Sequence, residues 1–136
     1  MPGYRVTTLR STPELERILS LPRRTLSKTK ATKYAAAWTE SLALASGAVL
    51  RPWQGMLLQE AVKYGGALGA LPVGQGKTLP CELLPVALKS KRSILILPAV
   101  ARDKTYADRR SFAGSWRMAS PPPRLVSQNE IQHDPY

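Results

Sequence analysis

Ala67-Leu68-Gly69-Ala70-Leu71-Pro72-Val73-Gly74-Gln75-Gly76-Lys77-Thr78 is the stretch on which the reading of this chain turns. Ala67 to Pro72 is short, apolar and bounded by glycine, the composition of a buried strand. Gly74 and Gly76 let the backbone turn tightly and bring successive N–H groups toward an anion. A helix is predicted from about Lys77 to Lys89, so its unpaired N–H groups and dipole favour negative charge at the same place. Strand, glycine turn, lysine, hydroxyl and helix in that order describe a phosphate-binding loop. Lys77 would reach the β- and γ-phosphates of a nucleotide, and Thr78 would place its hydroxyl on Mg²⁺. The full pattern G-x-x-x-x-G-K-[ST] is met at Gly76, Lys77 and Thr78, but Leu71 holds its first glycine position. A glycine turn with an incidental lysine is the plainer reading of the same residues. Pro80 falls in the first helical turn, where a missing N–H costs little, whereas Pro85 should kink or end the helix.

Working outward, Arg51-Pro52 opens a preceding helix with Trp53, Met56, Leu57, Ala61 and Tyr64 at helical spacing, closed by Gly65-Gly66. Downstream, Ser93 to Pro98 is the clearest strand. A helix follows from about Ala101 to Phe112, and Arg124 to Ser127 is a third candidate strand beyond Pro121-Pro122-Pro123. Strands alternating with helices imply an α/β fold with a parallel sheet. Toward the N-terminus, Ser11-Thr12-Pro13-Glu14 starts a short helix stopped by Pro22, and a second helix is predicted from about Thr32 to Ser46. Residues 1–46 read as a small basic helical appendage and residues 47–136 as the nucleotide-binding part.

The 136 residues carry 20 Lys and Arg against 9 Asp and Glu, a formal net charge of +11. Residues 1–34 concentrate it, with Arg5, Arg10, Arg17, Arg23, Arg24, Lys28, Lys30 and Lys33 against Glu14 and Glu16. Such a surplus favours a polyanionic partner, of which nucleic acid is the usual one. Cys81 is the sole cysteine and His133 the sole histidine, so no intrachain disulfide and no Cys/His metal cluster can form. Cys81 reads as a small buried apolar residue and His133 as part of a polar tail. No apolar run reaches the roughly 18 residues of a membrane span, and no secretory h-region opens the chain, so the cytoplasm is the expected compartment.

Taken together, Leu50 to about Ile131 resembles the first half of the N-terminal RecA-like domain of superfamily-2 helicases and translocases. Leu71 to Thr78 resembles that family's motif I except at Leu71. Leu50-Arg51-Pro52-Trp53-Gln54 looks like its upstream element, whose glutamine recognises adenine; Gln54 lies 23 residues before Lys77. Ile94 to Ala99 resembles motif Ia, which touches the nucleic-acid backbone, and Tyr106, Arg109 and Trp116 fall where Swi/Snf-type and restriction-type members carry an aromatic-rich helix. The resemblance implies a partial RecA-like sheet, ATP and Mg²⁺ as ligands, and nucleic acid, DNA ahead of RNA, as partner. It assigns Gly74, Gln75, Gly76, Lys77 and Thr78 to the phosphates, with Thr78 on the metal, and Gln54 with Arg51 to the base. Lys77 and Thr78 would be its catalytic members.

The family's acidic Asp-Glu hydrolysis pair is absent from this sequence. Hydrolysis would therefore need the remainder of a motor or a partner chain. The competing reading is a non-catalytic basic nucleic-acid-binding or assembly module with a vestigial P-loop. A P-loop kinase or other NTPase would explain motif I but not Leu50 to Gln54. Under any α/β reading Ile94 to Leu97 should be buried. Arg102, Lys104, Arg109 and Arg110 offer either a nucleic-acid face or a solvated helix face, and Trp116 is expected to pack rather than stack.

Overall fold

A computed structural model describes residues 11–20, 27–69 and 74–133. Along the chain run α1 (Pro13–Ser20), α2 (Lys28–Leu42), α3 (Pro52–Tyr64), α4 (Thr78–Ala87), β1 (Ile94–Leu97), α5 (Arg102–Ala113), β2 (Arg124–Ser127) and α6 (Gln128–His133). The two strands pair in parallel, Ile94 beside Arg124 and Leu97 beside Ser127, with α5 in the crossover. The fold is α/β. Four of the basic residues gathered in 1–34, Arg5, Arg10, Arg23 and Arg24, lie outside the described residues.

Local chemistry sets most of the helix ends. Thr12 Oγ1 accepts the Leu15 N–H at 3.2 Å ahead of Pro13, as a hydroxyl cap should. α3 begins on Pro52 and stops at Gly65, whose φ of +72° suits a residue without Cβ. α4 outlasts Pro85 by two residues. There the N–H of Ser90 reaches the Pro85 carbonyl at 2.8 Å and that of Lys89 the Val86 carbonyl at 3.1 Å, with Lys89 itself at φ +53°. Those two bonds satisfy carbonyls that the end of a helix otherwise strands. α6 begins on a reciprocal cap. The Ser127 N–H donates to Glu130 Oε2 at 2.6 Å, and the Glu130 N–H donates to Ser127 Oγ at 3.3 Å. These bonds to Ser127, with Arg102 nearby, hold the Glu130 carboxyl below the usual carboxylate range.

α2 starts four residues before the expected Thr32 and ends where Ala43 turns extended to bridge Trp116. It packs on α3 at a very close crossing. A Cβ added to Gly55 would lie 2.3 Å from Ala35 Cα and 2.4 Å from Ala35 N, so only glycine lets the two backbones approach this far. Ala35 and Leu42 of α2 join Leu50, Leu58 of α3, Leu83 of α4 and Trp116 in a single buried cluster. Trp116 is thus a packing residue, 6% exposed. Thr39 Oγ1 adds a polar tie, accepting the Leu50 N–H at 2.9 Å.

Two expectations about strands need correction. Ile94 and Ile96 are 66% and 57% exposed, whereas Leu95 is half-buried and Leu97 buried, so only one face of β1 is covered. The apolar run had implied burial on both faces. Ala67 to Gly69, the described part of the strand expected before the glycine turn, is irregular, and Leu68 is 99% exposed. Residues 70–73 of that expected strand lie outside the described residues.

Candidate phosphate-binding site

The glycine turn adopts the backbone that its sequence demands. Gly74 and Gly76 lie at φ +82° and +73°, a left-handed conformation that side-chain-bearing residues rarely adopt. Lys77 is the N-cap of α4, and its own side chain makes no capping hydrogen bond. Its first intrahelical bond runs from the Cys81 N–H to the Lys77 carbonyl at 3.4 Å. By helix geometry the N–H groups of Thr78 and Leu79 then have no intrahelical acceptor, and Pro80 offers none. Lys77 is exposed and Thr78 half-buried. Two turn-forming glycines, a lysine, a threonine and the start of a helix follow one another here, and that succession suits an anion.

The turn is braced from α3. Gln54, only 4% exposed, accepts the Arg51 N–H on Oε1 at 2.8 Å and donates from Nε2 to the Gly76 carbonyl at 3.0 Å. Arg51 Nη1 reaches the Gln75 carbonyl at 3.4 Å from an exposed side chain. The structure therefore brings every predicted site residue into one neighbourhood, with Gln54 behind the loop and facing its backbone.

Glutamine three positions into a helix that begins on Arg-Pro is itself a capping signal, and it announces an inward-facing amide.

Behind α4 lies a feature that the sequence analysis did not foresee. Glu82 is fully buried and meets Arg109 of α5 through two hydrogen bonds of 3.0 and 2.9 Å. Arg109 also donates to the Pro123 carbonyl at 2.9 Å, which ties the proline run to the helices. Arg109 therefore belongs to the interior and not to a nucleic-acid face. Arg102 pairs with Glu130 at 3.0 Å and Lys104 with Asp108 at 3.3 Å, while Arg110 is exposed. A lone glutamate within the otherwise apolar Thr78–Ala87 was the available signal, since a charge there needs a partner. Burial, with the Glu82 charge beside it, pushes the Cys81 thiol up, so it is no ready nucleophile.

Phosphate and Mg²⁺ fit this arrangement unequally. A phosphate would meet backbone N–H groups and Lys77, whereas Mg²⁺ would find, among the described residues of the turn, only the Thr78 hydroxyl. Among the described residues no group of three His, Cys, Asp or Glu could hold a metal ion. No helix among them is long and apolar enough to cross a membrane.

No protein family matches the chain, and no solved structure matches it. Over 70 residues it is 36% identical to the human (Homo sapiens) 182 kDa tankyrase-1-binding protein. That stretch is 52% of this chain and spans 4% of the relative's length.

Proposed function

We propose that this chain carries the nucleotide-binding opening part of an ATP-dependent nucleic-acid motor of RecA-like fold, and that Gly74 to Thr78 grip the phosphates of ATP. The observation that carries this reading is the turn itself: two left-handed glycines lead straight into the N-terminus of α4 at Lys77 and Thr78. Lys77 would neutralise phosphate charge, the N–H groups of the turn and of α4 would hold the oxygens, and Thr78 would ligate the Mg²⁺ that arrives with the nucleotide. The parallel pairing of β1 with β2 and the bare outer face of β1 suit a sheet that further parts of a motor would complete. The net charge of +11 and the exposed Lys28, Lys30 and Lys33 of α2 suit nucleic acid, DNA ahead of RNA.

The basic-module alternative draws support from a separate observation, the lack of an Asp-Glu pair to orient an attacking water. Titration calorimetry with ATP and Mg²⁺ separates the two. The wild-type chain should bind, and Lys77→Ala should weaken binding by roughly tenfold or more, the value of one charge-assisted contact. Phosphate release should stay at background in both. Equal ATP affinity in the two proteins would remove the nucleotide site and leave the basic module.

A further inference from the structure

We infer that Gln54 is a positioning residue for the phosphate loop rather than a reader of the base, so the site takes the polyphosphate of any nucleoside triphosphate with little regard for its base. The inference rests on the nucleotide-binding reading above and deepens it by setting the substrate class. It begins with the amide's inventory. A glutamine side chain offers two N–H donors on Nε2 and two lone pairs on Oε1. One donor goes to the Gly76 carbonyl and one lone pair to the Arg51 N–H. The amide orientation follows from these partners, because a flip would set Nε2 against an N–H and Oε1 against a carbonyl.

What remains cannot reach a base. Recognising adenine takes a donor and an acceptor presented together toward solvent, and the Gln54 side chain is enclosed with 4% of the residue exposed. Its neighbours close the space further: a Cβ on Gly76 would stand 3.3 Å from Nε2, so the amide lies directly against the turn. Turning Gln54 outward would break both bonds and leave the Gly76 carbonyl and the Arg51 N–H without them. Arg51, the other side chain assigned to the base, keeps an exposed guanidinium whose hydrogen bond is again to a loop carbonyl. A guanidinium stacks on any aromatic base and does not tell one from another.

The two bonds explain instead how the turn keeps its shape. Gly76 must hold a left-handed φ and aim its own N–H, and that of Lys77, at the ligand. Fixing its carbonyl from behind sets the peptide plane that carries the Lys77 N–H. Pre-arranged donors of this kind spare a ligand the cost of ordering them. A base-reading site rejects the wrong base steeply, because its buried polar groups would be left unpaired; a loop-bracing glutamine exacts no such penalty.

The test uses the whole chain with Mg²⁺ and three probes: ATP, GTP and inorganic tripolyphosphate. ATP and GTP should bind within about threefold of each other, and tripolyphosphate within about tenfold of both. Gln54→Met keeps the volume of the side chain and removes both hydrogen bonds. It should weaken all three probes by about tenfold and leave the ATP:GTP ratio unchanged, with thermal unfolding still cooperative. A wild-type preference for ATP over GTP beyond about tenfold would overturn the inference, as would a Gln54→Met that alters that ratio. Should Gln54→Met not fold, the wild-type ratio decides by itself. Lys77→Ala distinguishes the deeper failure. If it leaves all three affinities unchanged, the nucleotide site is wrong; if it lowers them while ATP is strongly preferred, only the role of Gln54 is.

Discussion

Gly55, at the crossing of α2 and α3, and Ile96, on the outer face of β1, belong to two regions held in opposite ways. Around Gly55 the backbones meet so closely that not one methyl group fits. Around Ile96 more than half of a large apolar side chain meets solvent. The contrast runs through the whole fold. α2, α3, α4 and α5 interlock through the Leu42–Leu50–Leu58–Leu83–Trp116 cluster and the buried Glu82–Arg109 pair. The sheet contributes one packed face and one bare one. Stability is therefore concentrated in the helical side, and the glycine turn that starts α4 is anchored to that side through Gln54. On the proposed reading the turn would need such an anchor, because donors to a phosphate act only when held in place.

The largest expected effect comes from dividing the interior pair. Glu82→Ala leaves the Arg109 guanidinium, 15% exposed, facing an apolar helix without its carboxylate. Urea unfolding should show a loss of about 4 kcal/mol, within the range for a buried pair stripped of one partner. Replacing both residues by Met should recover most of that loss, since an apolar pair carries no desolvation cost. A single variant within 1 kcal/mol of wild type, an order-of-magnitude threshold, would mean that water reaches Arg109 more freely than its burial implies.

Second comes the crossing. Gly55→Ala forces a Cβ into the α2 backbone, and the intrinsic helix preference of alanine over glycine, about 1 kcal/mol, offsets part of the damage. A net loss of about 2 kcal/mol is expected, with the helices pushed apart. Ala35→Gly in the same chain should relieve little, because the nearest atoms at Ala35 are backbone Cα and N. Partial rescue by that second change would place the clash on the alanine methyl instead.

How much of this could be read beforehand varies with what each residue depends on. Pro52, Gly65, Gly74, Gly76 and the run Arg124 to Ser127 were legible, because proline geometry, positive φ and strand composition are local properties. Gly55 was not. A glycine inside a helix reads only as a weak spot until a second helix is laid against it. Glu82 and Arg109 are far apart in sequence, so their pairing belongs to the tertiary structure alone. For Ile94 to Leu97 the period misled. A continuous apolar run states that both faces could be buried, and it says nothing about whether the chain supplies elements to bury them. That Gln54 lies beside the glycine turn was legible, but its direction was not, since the family resemblance and the capping pattern at Arg51-Pro52 ask opposite orientations of one amide.

The smallest expected effect lies on the bare face and sharpens the comparison most directly. Ile94→Thr with Ile96→Thr keeps β-branched side chains, which suit a strand, while replacing a methyl-bearing arm with a hydroxyl that solvent can satisfy. Ile94 and Ile96 are 66% and 57% exposed, so folding gains little from either side chain, and the double variant should unfold within about 0.5 kcal/mol of wild type. Leu97→Thr, on the adjacent position of the same strand but 7% exposed, removes packed volume and buries a hydroxyl, so it should cost about 3 kcal/mol. The ratio between these two losses measures how unequally the faces of β1 are covered. If the outer pair cost as much as Leu97, the outer face would have to be packed in solution, and the division between a finished and an unfinished side would fall.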